Sequence, residues 1–188
     1  MTREQSIRAT FDIFKPDGVI EVRSMDGYTF SGYFKDRQRL VSELAKRDDK
    51  TWYFVMNDIN DACYSREQSE CILSKKGLKT TGDKEIEVIR WILIDADPER
   101  PAGVSSTDEE KAKSKETIKR VYKYLKQEGF SDPVVCDSGN GYHLLYSVDM
   151  NVDDAEYTKK FLQTLDMLFS DEYVKIDTSV FNPARITK

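Results

Sequence analysis

The chain has 188 residues, 39% hydrophobic and 34% charged, with 29 Lys and Arg against 34 Asp and Glu and a net charge of −5. That length supports one sizeable core, and the composition excludes a disordered or fibrous protein. The acidic balance excludes a protein that coats nucleic acid by bulk charge, but not an enzyme whose carboxylates recruit Mg²⁺ and, through it, phosphates.

Residues 18–34 alternate apolar and polar about Asp26-Gly27 and read as a β-hairpin. Residues 36–47 place Leu40, Val41 and Leu44 at helical spacing, which predicts a short amphipathic helix. Trp52–Met56 reads as a buried strand running into the polar loop Asn57–Asn60. Residues 62–84 read as irregular, with Lys75, Lys76, Lys79 and Lys84 as a basic cluster. Residues 88–94, VIRWILI, give the strongest strand signal and stop at Asp95-Ala96-Asp97-Pro98. A capping box, Ser106 with Glu109 or Thr107 with Glu110, starts a helix that ends at Gly129. Short strands over 133–137 and 142–148 flank Ser138-Gly139-Asn140-Gly141, a helix follows near 153–169, and a last strand near 173–180 carries Asp177. The order predicts an α+β, or mixed α/β, fold. Neither GxGxxG after a strand nor GxxxxGK[ST] occurs, so a dinucleotide-binding or P-loop fold has no support.

Cys63, Cys71 and Cys136 are sparse and form no CxxC pair, so neither a disulfide framework nor a zinc site is expected. His143 is the single histidine, which excludes mechanisms needing two. No apolar run approaches ~18 residues, and the start MTREQSIRAT is not a signal peptide. A reducing cytoplasm, with no membrane association, is the expected setting.

Three constellations carry chemistry. Asp95 and Asp97 are i and i+2 on a strand, so both carboxylates face one side about 6.6 Å apart. A divalent cation relieves their repulsion, and two such ions can clamp the oxygens of a phosphoryl transfer. A solvated strand end with a turn starter explains the same residues. In Ser138–His143, Gly139 and Gly141 permit a tight turn and close approach of backbone N–H groups to an anion. Ser138 and His143 can donate to phosphate oxygens. Asn140-Gly141 is equally the signal of a plain hairpin turn. Asp177 offers a third acid, and Arg185 in Phe181–Ile186 can pair with a phosphate. The lysine-rich face of the 109–126 helix reads best as a solvated surface. The Lys75–Lys84 cluster is the better candidate for nucleic acid.

Taken together, Ile92-Leu93-Ile94-Asp95-Ala96-Asp97, the Ser138–His143 segment, and Asp177 with Asn182-Pro183-Ala184-Arg185 resemble the archaeo-eukaryotic primase superfamily. The likeness is strongest to the primase–polymerase domains of phages, plasmids and integrated elements. It extends to the GYTFSGYFKD, WYFVMNDIN and DADPERPAGVSSTDEE stretches, nearly the whole chain. It implies one catalytic domain over 1–188, with a smaller N-terminal α/β portion over 1–85 and a catalytic portion over 86–188 built on an RRM-like sheet with flanking helices. Asp95, Asp97 and Asp177 would ligate two Mg²⁺ or Mn²⁺ ions. Ser138, Gly139, Gly141 and His143 would hold the nucleotide phosphates, with Arg185 supporting them. The implied reaction is attack of a 3′-hydroxyl on the α-phosphate of a dNTP or NTP, on a single-stranded DNA template with a primer. The cysteine-rich zinc element of many relatives is not visible, which favours extension over initiation. Relatives continue beyond the equivalent of Lys188, so an excised domain with a helicase in the missing part is expected.

Two other readings compete. A metal-dependent nuclease or phosphodiesterase uses the same acids with water in place of the 3′-hydroxyl. A catalytically inactive nucleic-acid-binding relative would stack bases on sheet aromatics, for which Tyr142 and Tyr146 are the nearest candidates.

Overall fold

The hairpin at the start of the chain forms as β1 (Ile20–Ser24) and β2 (Phe30–Phe34), in a register pairing Ile20 with Phe34 and Ser24 with Phe30. The chain turns between them through Gly27 at φ +82°, a left-handed conformation that favours glycine. The structure is a computed structural model describing Met1–Pro101 and Gly103–Lys188. It is α+β, with four helices and ten strands among the described residues.

The chain divides into two units, Met1–Ile89 with Pro183–Lys188, and Arg90–Asn182. In the first, β3 (Tyr53–Val55) pairs with β1, and β5 (Leu73–Ser74) pairs with β2. The short strand β10 (Ile186–Thr187) pairs with β3, giving the order β10-β3-β1-β2-β5. The C-terminal segment therefore belongs to the first unit and not to an 86–188 portion, because its backbone hydrogen bonds go to β3.

Two helices complete this unit. α1 (Arg3–Phe14) was not expected from the sequence; Thr2 and Gln5 form a capping box at its start. Its Phe11 and Phe14 rings pack on Phe54, with centroids 5.1 and 4.8 Å away. α2 (Arg37–Ala45) is capped by Asp36, whose Oδ1 accepts from the Gln38 and Arg39 N–H groups, and buries Leu40, Val41 and Leu44 as the spacing predicted. The polar loop after β3 contains a two-residue strand, β4 (Asp58–Ile59).

β6 (Ile86–Pro98) starts in the first unit, where β4 pairs with it, and supplies the second unit from Arg90 onward. There follow α3 (Asp108–Gln127), β7 (Val134–Asp137), β8 (Tyr142–Asn151), α4 (Ala155–Phe169) and β9 (Val174–Ile176). The strand order in space is β9-β6-β8-β7. This β-α-β-β-α-β chain with its two first-and-last strands side by side is the split-βαβ arrangement of ferredoxin-like and RRM-like sheets. β7 and β8 pair antiparallel. Asp149 meets Arg90 at 2.6 Å and His143 meets Asp95 at 3.0 Å, so β8 also runs antiparallel to β6.

The core of this unit is made by Ile92, Ile94, Leu144, Tyr146, Ile118, Val121, Leu125, Leu162 and Leu165, all buried. Of the two possible capping boxes, Thr107–Glu110 forms: Thr107 Oγ1 accepts from Glu110 N, and Glu110 Oε2 accepts from Thr107 N at 2.8 Å. Gly129, at φ +89°, follows the helix end as expected. β6 runs four residues past its expected end at Ile94, because Ala96, Asp97 and Pro98 pair with Ile176, Lys175 and Val174. Among the described residues no helix is long and apolar enough to cross a membrane.

Candidate active site

The apolar half of β6 carries Asp95 into the interior, where it is 7% exposed. Its neighbour Ala96 faces the helices and is fully buried, so strand alternation returns Asp97 to the same side as Asp95, half-buried. β9 brings the third acid. It ends at Ile176 opposite Ala96, and the next residue, Asp177, donates its backbone N–H to the Asp95 carbonyl at 2.9 Å. Asp177 thus lies just beyond the strand and not inside it. Its Oδ1 accepts from Ser179 N at 2.7 Å, a local turn that fixes the side chain.

The three carboxylates feel one another. The Asp97 carboxyl is pushed above its ordinary range by burial first, then by the charge of Asp95 and, more weakly, Asp177; Arg100 and His143 oppose this. His143 stands on β8 with Nε2 3.0 Å from Asp95 Oδ1, but the ring N–H is not aimed along that line. Asp95 Oδ1 is consequently buried without a hydrogen bond. A buried carboxylate oxygen with no donor is costly unless something positive completes it. Hard oxygen donors and an orphaned, buried anion suit a divalent cation. As the side chains stand, no group of three His, Cys, Asp or Glu among the described residues is drawn into one coordination sphere.

The turn before His143 sits against this strand. Ser138 Oγ accepts from Gly141 N at 2.8 Å, Ser138 N donates to Gly141 O at 3.0 Å, and Gly139 N donates to Asp137 Oδ1 at 2.8 Å. Gly139 takes φ +94°. The sequence suggested that these glycines free N–H groups for an anion. Instead the N–H groups of Ser138, Gly139 and Gly141 are spent inside the turn. What the turn presents is the exposed Ser138 hydroxyl, whose proton remains available. Gly141 is needed for contact: a Cβ there would lie 2.5 Å from the Ala96 carbonyl and 3.0 Å from Asp97 Oδ1.

Two residues were missed in the sequence. Ser114, on α3 and fully buried, donates to Ala96 O at 2.7 Å and accepts from Tyr142 N at 3.0 Å. One hydroxyl thereby ties the acidic strand to the serine turn. Arg100 donates to Ser106 Oγ at 3.0 Å, and Ser106 N donates to Asn140 Oδ1 at 3.1 Å, a second tie between the same two segments. Neither residue had a spacing signal.

The second unit therefore brings together Asp95, Asp97, Asp177, Ser138, Gly139, Gly141 and His143. Arg185 is carried by the first unit, where its carbonyl accepts from Met56 N at 3.1 Å and its Nε is buried without a hydrogen bond. Of the lysines on α3, Lys111 pairs with Asp137 at 2.8 Å and Lys126 with Asp132 at 2.7 Å, while Lys113 lies over the Tyr173 ring. Tyr146 is buried against Phe130, so it is no stacking platform for a base. No family model, curated protein or solved structure matches this chain.

Proposed function

We propose that the chain is a template-directed nucleotidyltransferase, a DNA primase or polymerase of the archaeo-eukaryotic primase superfamily that its motifs resemble. One observation carries the reading: three acids, from β6 and from just past the end of β9, lie on one side of a split-βαβ sheet, beside a serine turn and the chain's single histidine.

Asp95, Asp97 and Asp177 would hold the divalent ions. When bound, these ions supply charge neutralisation for the attacking 3′-hydroxyl and the departing pyrophosphate. The chain's own groups then position the reactants. The Ser138 hydroxyl donates to a phosphate oxygen from the tip of a turn held rigid by its own hydrogen bonds. His143, with Nε2 3.0 Å from Asp95 Oδ1, stands beside the carboxylates and would donate to a phosphate oxygen held there. Ser114 and Gly141 hold turn and strand in contact, so that acid and phosphate contacts stay in register. The serine turn favours this reading over a nuclease, which has no use for a triphosphate pocket. The reading does not depend on Arg185.

Equilibrium binding of a dNTP tests it. Triphosphate affinity is expected to require Mg²⁺ or Mn²⁺, to vanish in Asp177→Ala, and to fall more than template affinity in His143→Ala. Binding that is independent of metal, or an equal loss of both affinities in His143→Ala, contradicts the assignment.

A further inference from the structure

We propose that a cavity of about 340 Å³ in the first unit, lined by Arg66, Lys79 and Lys84, binds the backbone phosphates of single-stranded nucleic acid. The remaining walls are Asn60, Ala62, Cys63, Ser65 and Glu85. Three cations face one carboxylate there.

The cavity is a built feature. The Arg66 side chain is only 12% exposed, and its guanidinium is fixed by the Tyr33 hydroxyl and by Glu85. Tyr33 is itself held by Thr81 Oγ1 at 3.0 Å. Glu85 also pairs with Lys79 at 2.9 Å and accepts from Gly82 N at 3.0 Å. These contacts hold its carboxyl down at about 2 against the cost of burial, so its charge is constant in the working range. It is the one carboxylate among the lining side chains, against the three cations. Lys84, exposed, has no ion-pair partner among the described residues.

The polar walls have little left to read a base with. Asn60 Oδ1 accepts from Ala62 N, its Nδ2 donates to Glu87 Oε1, and the Ser65 hydroxyl donates to Ala62 O. Charge with few spare donors and acceptors suits a sequence-independent phosphate contact. The positive charge runs from the interior to the rim: Lys79 is 72% exposed where Arg66 is 12%. The volume is many times what one water needs, so it has room for a phosphate group. The structure also narrows the basic cluster seen in the sequence. Lys75 is paired with Glu67, and only Lys79 and Lys84 line the cavity. In a chain of net charge −5, such a local site supplies attraction that bulk charge does not.

Fluorescence anisotropy with a labelled oligodeoxythymidine tests the proposal, using the whole chain without metal or nucleotide, between about 50 and 200 mM salt. Lys79→Ala/Lys84→Ala is expected to weaken binding at least several-fold at the low-salt end, equally for oligothymidine and a mixed sequence. The slope of log affinity against log salt should flatten by roughly 0.7 for each phosphate that the variant no longer neutralises. Lys79→Arg/Lys84→Arg should restore both, and an unchanged melting temperature shows that the surface change leaves the fold intact. The binding is read without metal or nucleotide, so failure here is separable from failure of the transferase reading. Unchanged affinity and slope in the double alanine variant overturn the proposal. So does a loss confined to inorganic phosphate or pyrophosphate, which marks a site for free anions.

Discussion

The backbone N–H of Asp177 donates to the carbonyl of Asp95 across 2.9 Å, so two acids far apart in sequence lie opposite each other on neighbouring chain segments. The contact is made by main chain, and it holds the carboxylates near each other whatever their charge. A fold that gathers like charges in a partly buried place accepts a stability cost, and functional sites are where such costs collect.

Asp95→Asn should expose that cost. Removing the charge relieves the repulsion that raises the Asp97 carboxyl. The variant is expected to melt about 2–4 °C higher, the shift produced by ~1 kcal/mol in a chain of this size. It should also lose nucleotidyl transfer. Scanning calorimetry beside an extension assay checks the pair of effects; a variant that melts lower, or keeps its activity, contradicts the account.

Gly141→Ala places a methyl 2.5 Å from the Ala96 carbonyl, a backbone atom that cannot swing aside. The serine turn must then move off β6. Destabilisation of about 1–3 kcal/mol, typical of overpacking, is expected from urea unfolding, together with weakened triphosphate binding. Gly139→Ala supplies the comparison: nothing lies within 4 Å of its Cβ, so its cost comes from φ +94° alone.

Ser114→Ala removes the hydroxyl that serves Ala96 O and Tyr142 N together. A buried backbone group left unpaired, as Ala96 O would be, costs about 1–3 kcal/mol, and the part-buried Tyr142 N–H less. A lower melting temperature is expected, and with it a fall in kcat for nucleotide incorporation in excess of any rise in KM, because turn and acids lose register. Full activity at temperatures where the variant is folded would show that the bridge serves stability alone.

Glu85 makes part of the acid sensitivity specific to one residue. Its carboxyl is held at about 2 in the folded chain against an ordinary 4.5; burial opposes the shift, and hydrogen bonds from Arg66, Gly82 N and Lys79 drive it. A depressed folded value contributes stability that is complete above about 4.5 and is lost as pH falls toward 2. Glu85→Gln should therefore be less stable than the wild type at pH 7, and the difference should shrink as pH falls through that window. Melting curves at a series of pH values test this; a constant difference rules it out.

What the residues disclosed depended on how local each signal was. α3 was legible because its start is a capping box and its end a glycine, both read within a few residues. The true end of β6 was not, since Ala96–Pro98 remain in the strand only through β9, much later in the chain. α1 was missed because polar residues dilute its apolar face, which rests mainly on Phe11 and Phe14 against Phe54. In the candidate site the acids and His143 stood out by type and spacing. Ser114 did not, because one serine on a basic helix has no pattern, and its part appears only once strand and turn lie on either side of it. The glycine turn was legible in position and different in use: its N–H groups close the turn and leave the Ser138 hydroxyl to meet a ligand.

The most direct test of the central claim is incorporation of labelled dNTPs and NTPs on primed and unprimed single-stranded DNA, with Mg²⁺ or Mn²⁺, comparing the wild type with Asp95→Ala/Asp97→Ala. Metal-dependent product that disappears in the double variant is the predicted result, and the unprimed template separates initiation from extension. Equal product from both proteins, or degradation of the template without nucleotide, would contradict it.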